Sequence, residues 1–396
     1  MTQSINRRIA GNFKQTGLPA SVEGATGGGF DSAEVNDIVI NSEYLNSENL
    51  IINGAMQIAQ RGALSVNEAA SVVHNPDRFA FNTVGAAVVT NSSDSATSLS
   101  DTGFKSAMKV DVTTADASLA GTDFGIIRYV FEGRDVQSLK YGTSDAKDVT
   151  ISFWVRSPKT GTHIVELYHN SAAYGNSRAY TVSSANTWEF KSLTFSGYTA
   201  TALPNEDEAE LRIFWWLASG STYAGGTLND NTWNNTAANR AAGQVNCLDN
   251  TSNNFYLTGV KMEVGSRPTP FRHRTEAEEL ARCQRYYQRY DRFSNYAGLN
   301  LMVPFSGTGA NCPMFLAVQP RTNPSVTYSD ASHFDYFGIT GTGASGNPSS
   351  LQSHGWGGGN SMELGITSTS LTTARGYLFE PNNSAGCWFA FDAEVD

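Results

Sequence analysis

Apolar residues in this chain recur every second position over short runs, and Gly, Asn and Ser clusters break the runs apart. In ISFWVRS, Ile151, Phe153 and Val155 alternate with Ser152, Trp154 and Arg156. In HIVELYH, Val165 and Leu167 take one face, and Ile164, Glu166 and Tyr168 take the other. NTWEFKSLTF alternates less cleanly, whereas ELRIFWWLASG puts Leu211, Ile213, Trp215 and Leu217 on a single face. A period of two places alternate side chains on opposite faces of a strand, so each run predicts a half-buried strand. Such strands without helical periods between them predict an all-β chain, a jelly-roll β-sandwich across roughly residues 51–274.

Composition supports that class. Only 16% of the 396 residues are charged, which is poor material for long helices, while 37 glycines suit many turns. The net charge of −10 argues against a nucleic-acid partner, which needs clustered Lys and Arg. No run approaches 18 apolar residues, so membrane insertion is not expected, and the N-terminus lacks the apolar segment of a secretory leader, so a soluble protein is expected.

One helix is expected, over 275–291. Thr275 and Glu278 form a capping box, and Pro268 and Pro270 block an earlier start. Leu280, Cys283, Tyr287 and Tyr290 share one face, and Glu278 stands four residues before Arg282. That stripe, with Tyr286, either covers the end of the sandwich or meets copies of itself. Residues 293–396 return to short strands and predict a second β-sandwich-like domain. Residues 1–50 hold Gly27-Gly28-Gly29 and little apolar material, which predicts an arm that orders against a partner.

Several motifs together resemble a known family. NLIINGAMQIAQRG (49–62) is similar to the opening of many bacteriophage tail-fibre and virion appendage proteins, with Ala59 where Trp is usual. NPDRF (75–79) is similar to a following motif, with Phe79 in place of Trp. FYLTGVKMEVGSRPTPFRHRTEAEELARCQRYYQRY resembles the closing signature. The resemblance spans about residues 49–291 and implies a carbohydrate-binding-module-like jelly roll, a virion location and a homotrimer. It also implies attachment to other phage tail or capsid proteins through residues 1–50, and adhesion to host cell-surface polysaccharide without a chemical step. A decoration protein that never touches the host and a virion-associated glycan hydrolase are the alternatives.

Candidate residues follow from chemistry. Aromatic faces stack on sugars, which selects Trp216, Tyr223 and Trp233 near FWWLASGSTYAGG. In QSHGWGGGN, glycines around Trp356 predict a mobile loop with an exposed indole, flanked by His354 and Asn360 and assisted by Tyr336. Trp216 suits either ligand contact or subunit packing, and Trp356 either anchors a glycan or locks a subunit contact. Trp215 and Trp388 read as core residues. The acidic run at Glu206, Asp207 and Glu208 reads as a solvated loop, with calcium binding as the lesser reading. No other metal and no cofactor is expected. Cys247, Cys283, Cys312 and Cys387 read as buried thiols, with a Cys312–Cys387 disulfide as the alternative.

Overall fold

The computed structural model describes residues 48–395 apart from 68–71, 95–98, 100–101, 292–297, 340–344, 357, 370, 374 and 383–385. The side chain of Trp356 also lies outside the described residues, as does nearly all of the expected N-terminal arm.

Twelve strands build the first half. They are β1 (Leu64–Val66), β2 (Val73–His74), β3 (Phe79–Val84), β4 (Val88–Asp94), β5 (Ala107–Thr114) and β6 (Phe124–Glu132). After a 3-10 turn at Gly133–Leu139 come β7 (Val149–Arg156), β8 (Gly161–His169), β9 (Tyr174–Val182), β10 (Glu189–Phe195), β11 (Ala209–Ser219) and β12 (Asn254–Val264). They form two antiparallel six-stranded sheets, one ordered β1-β4-β5-β12-β7-β10 and the other β2-β3-β6-β11-β8-β9. This is an all-β jelly-roll sandwich. The alternating faces meet between the sheets: Ile151, Phe153, Val155, Val165, Leu167, Leu211, Ile213, Trp215 and Leu217 share one buried core. Trp215 is fully buried there, its ring 5.9 Å from that of Phe153.

Two short helices follow β11 and β12, α1 (Ser221–Ala224) and α2 (Glu276–Gln284). The capping box of α2 is present: Thr275 Oγ1 accepts from the Glu278 amide at 3.3 Å, and Glu278 Oε2 accepts from the Thr275 amide at 3.0 Å. The helix is nine residues long rather than the 17 expected, because Tyr287–Tyr290 forms strand β13. Tyrosine suits a pleated surface, and pairing with a strand near the C-terminus satisfies the backbone from Tyr287 onward. Arg282 lies 3.6 Å from Glu279, in place of the expected contact with Glu278.

Nine further strands complete the second half. These are β14 (Asn300–Pro304), β15 (Gly309–Phe315), β16 (Ser325–Tyr328), β17 (Phe334–Gly338), β18 (Ser345–Gly346), β19 (Ser350–Trp356), β20 (Ser361–Thr367), β21 (Tyr377–Pro381) and β22 (Phe389–Asp392). A three-stranded sheet, β13-β22-β16, and a seven-stranded sheet, β18-β17-β21-β14-β15-β20-β19, enclose a second core around Phe334, Tyr336, Tyr377, Phe379 and Phe389. QSHGW is therefore a strand and not a mobile loop. Its backbone pairs with β20 up to Trp356↔Met362, and Gly358 and Gly359, at φ +81° and +68°, make the turn between them. All four cysteines are free and buried, which removes the Cys312–Cys387 disulfide.

Candidate functional site

The motif residues meet in one buried polar hub where both halves of the chain converge. Arg61 of the first motif reaches Asp392 at 3.0 Å and Glu394 at 3.4 Å, and its guanidinium lies 3.4 Å from the centre of the Tyr287 ring. Arg78 of NPDRF reaches Glu394 at 2.5 Å, donates to the Val130 carbonyl at 2.7 Å, and stacks 3.4 Å from the Tyr286 ring centre. Gln60 Nε2 donates to Asp77 at 2.6 Å and to the Tyr287 carbonyl at 2.8 Å. Arg285 forks onto Glu132 at 2.9 and 2.7 Å. Burial alone would raise the Glu394 pKa, but His74, Arg78 and Arg61 hold it down at about 2. The hub binds the chain to itself through these contacts.

That arrangement corrects the expected subunit interface. Cys283, Tyr286 and Tyr287 are buried within the chain, Leu280 packs on the same cluster, and Tyr290 stacks on Phe389 at 5.1 Å. Most of the stripe is covered by its own chain, and only Leu280 and Tyr290 keep part of their surface.

The expected glycan residues are also placed elsewhere. Trp216 and Tyr223 do come together, on the outer face of the β2–β9 sheet with Tyr168 and Phe214. Arg240 fills that cage: its guanidinium lies 4.8, 5.6, 5.3 and 5.7 Å from the ring centres of Tyr168, Phe214, Trp216 and Tyr223. It forks onto buried Glu166 at 2.8 and 3.0 Å, and Trp216 Nε1 donates to the same carboxylate at 3.1 Å. Burial raises the Glu166 pKa, and the Arg240 charge opposes that shift. Trp216 is thus a packing residue, because the chain returns over its face after β11. Trp233 donates from Nε1 to the Ser196 carbonyl at 2.8 Å and packs on Tyr198 at 4.9 Å.

In the second half, Tyr336 faces the core, 2% exposed, with its hydroxyl 2.5 Å from Ser368 Oγ. It cannot stack on a ligand. His354 is exposed and parallel to Phe305 at 5.2 Å, and Asn360 is exposed at the β19–β20 turn. β17 and β19 are five strand steps apart, about 24 Å at the usual spacing, so Tyr336 and His354 do not form one site. In the acidic run, the Glu206 and Glu208 carbonyls accept from the Arg134 and Gly133 amides, and Asp207 pairs with Arg134 at 3.2 Å. Among the described residues no group of three or more His, Cys, Asp or Glu is arranged to hold a metal.

The Cys247–His163 contact, 3.8 Å, has the composition of a nucleophilic pair but not the electrostatics. Burial lowers the His163 pKa to about 4 and raises that of Cys247 to about 12. Both stay neutral, and a neutral thiol is a poor nucleophile.

The open aromatic surface of the jelly roll lies on the outer face of the β1–β10 sheet. Because Ile151, Phe153 and Val155 point inward, Trp154 and Arg156 point outward. Phe190 stands opposite Trp154, with the rings 5.5 Å apart. Tyr256 stands opposite both Arg156 and Lys109. Trp188, one step before Glu189 in the register, lies on the other side of Arg156, and its ring is 6.1 Å from that of Tyr256. The result is a row Trp188–Arg156–Tyr256–Lys109 beside a second row Phe190–Trp154–Thr258. Phe190 is 47% exposed, Trp154, Trp188 and Arg156 are half-buried, and Tyr256 and Thr258 are buried beneath them.

Backbone geometry supports the platform. β12 carries a bulge after Thr258, where Gly259 takes φ +61°. A Cβ there would stand 2.8 Å from Phe104 Cζ and 3.0 Å from Trp154 Cδ1, so only glycine lets the indole lie against the strand. Segment 265–273 covers the neighbouring part of this face: Thr269 bonds Glu263, and Phe271 packs on Phe104 at 4.9 Å. The platform is the part left open.

No family model matches the sequence, and no curated protein matches it. Among solved structures the chain is similar to the enzymatically active domain of bacteriophage CBA120 tailspike protein 4, at 13% identity and a TM-score of 0.28, over 60% of this chain and 24% of that one. The chain therefore spans about a quarter of that tailspike structure. It is also similar to the family 11 carbohydrate-binding module from Clostridium thermocellum in complex with a β-1,3-1,4-mixed-linked tetrasaccharide, at 11% identity and a TM-score of 0.26, over 52% and 98% of the two chains. A third is TmCBM61 in complex with β-1,4-galactotriose, at 7% identity and a TM-score of 0.27, over 55% and 100%. At these scores the likenesses carry no argument about ligand or partner.

Proposed function

We propose that the chain is a glycan-binding structural protein of a tailed-phage virion, binding polysaccharide on the outer face of the β1–β10 sheet without a chemical step. The observation that carries the binding reading is the platform of Trp188, Phe190 and Trp154, with Arg156 lying over buried Tyr256 beside them. Sugar rings offer C–H faces that stack on aromatic side chains, and their hydroxyls need donors and acceptors nearby. Arg156, Lys109 and Ser92 supply a polar surround in register with the rings. Exposed aromatic groups at such density mark a binding surface. The virion reading rests on the motif resemblance over residues 49–291, and attachment through residues 1–50 remains part of the same proposal.

The hydrolase alternative finds no support in the buried acids. Glu132, Glu166 and Glu394 are each held by an arginine. Glycosidic cleavage needs two carboxyl groups facing each other across a substrate.

Binding of the whole protein to host cells tests the function. Retention after protease treatment of the cells and loss after periodate oxidation of their surface sugars is the expected result. Loss on protease treatment alone would place the receptor among proteins.

A further inference from the structure

We infer that the ligand of the Trp188–Trp154–Phe190 platform is a carboxylate-bearing polysaccharide, and that Arg156 takes the carboxylate; this rests on the glycan-binding reading above. Arg156 lies between two rings, its guanidinium carbon 3.9 Å from the Tyr256 centre and 5.2 Å from the Trp188 centre. Packing against the rings fixes the group while its N–H donors stay unbonded within the chain, available for a forked contact.

The charge pattern points the same way. Acids outnumber bases 37 to 27 in this chain, so a buried or half-buried arginine readily finds a carboxylate. Arg61, Arg78, Arg178, Arg240, Arg285 and Arg289 each have one within 3.1 Å. Among the described residues, the Arg156 guanidinium makes no ion pair or hydrogen bond, only its two ring contacts. The other cation on the platform, Lys109, lies 6.0 Å from the Tyr256 centre and is engaged by Asp111 at 3.2 Å. Arg156 is therefore the cationic fork left for a ligand, beside the Trp188 ring on which a sugar would stack. A uronic acid or another acidic sugar matches it: the ring lies on half-buried Trp188, and the carboxylate accepts two parallel N–H bonds from Arg156.

The test uses the whole protein with polygalacturonate, alginate, hyaluronan and polysialic acid, each beside its carboxyl-reduced neutral counterpart. Carboxylated polymer is expected to bind about tenfold or more tighter than its reduced form at low salt, the preference shrinking as salt rises. Arg156→Gln is expected to abolish the preference while lowering the melting temperature by no more than about 2 °C, since its ring contacts are all that this side chain loses within the chain. Arg156→Lys is expected to keep the salt dependence but lose most of the affinity, because an ammonium cannot make the fork. Equal affinity for acid and reduced polymers, or an Arg156→Gln variant that keeps the preference, overturns the inference while the glycan reading stands. Binding to none of the eight polymers overturns both.

Discussion

Replacing Glu394 by Gln tests the hub that joins the two halves of the molecule. The carboxylate is buried, with Arg78 at 2.5 Å and Arg61 at 3.4 Å. Gln keeps the shape and one acceptor but removes the charge, leaving Arg78 buried without an acid and Arg61 with Asp392 and Asp77, at 3.0 and 3.9 Å. Breaking a buried pair by removing one partner costs roughly 3–5 kcal/mol. With an unfolding entropy of about 2 cal/mol/K per residue over some 350 residues, this is a fall of roughly 5 °C in melting temperature. The pH dependence gives a second signature. Glu394 has its pKa lowered from 4.5 to about 2 by folding. Its contribution is therefore fully present above about pH 4.5 and is lost as pH falls towards 2. Asp77 acts in the opposite sense, because burial raises its pKa. Calorimetry from pH 7 down to pH 3 should show wild type and variant separated by the full interval at pH 7 and converging on acidification. A variant that melts within 1 °C of wild type at pH 7 would refute the reasoning.

Gly259→Ala, which puts a methyl against Phe104 and Trp154 at φ +61°, should weaken glycan binding at least as much as it lowers the melting temperature, read by paired titration and melting. The four buried thiols, with Cys247 and Cys312 pushed up to about 12 and Cys387 to about 11 by burial, should stay unreactive to a thiol-exchange reagent at pH 8 until denaturant is added. The homotrimer proposal now looks to the seven-stranded sheet, whose outer face exposes Leu301, Val303, Phe315 and Phe337 at 52, 59, 76 and 46%. Light scattering should then give about 128 kDa, three times the 42.7 kDa chain, and a smaller mass for Val303→Glu with Phe315→Glu.

What was legible in the sequence was the part carried by local period. Ile151, Phe153 and Val155, and Leu211 to Leu217 at every second position, fall on the inner faces because strand pleating makes that the only way to bury them. The α2 capping box is equally local. The motif residues were legible as a pattern but not as a hub, since Arg61, Arg78, Tyr286 and Glu394 meet only through the tertiary fold. The platform was half-visible: Trp154 and Arg156 occupy the polar side of an alternating strand, where an indole is out of place. Trp188 and Phe190 were hidden by the mixed alternation of NTWEFKSLTF, and their position beside Arg156 depends on strand register that sequence alone does not specify. The pattern leaves Trp216 to ligand contact or subunit packing, because nothing local announces that Arg240 of the same chain comes back to cover it. Gly355 lies in β19 and Gly358 and Gly359 make a tight turn, which the same composition cannot distinguish from a mobile loop.

The most direct measurement is calorimetric titration of host-cell polysaccharide into wild-type protein and into a Trp188→Ala, Phe190→Ala double variant. Phe190 is 47% exposed and Trp188 half-buried, so both substitutions should leave the fold standing while removing two stacking faces. Stacking contributes about 1 kcal/mol or more per ring, so a loss of at least roughly thirtyfold in affinity is expected, with a melting temperature close to wild type. Undiminished binding by a folded double variant would contradict the assignment of this face as the glycan site.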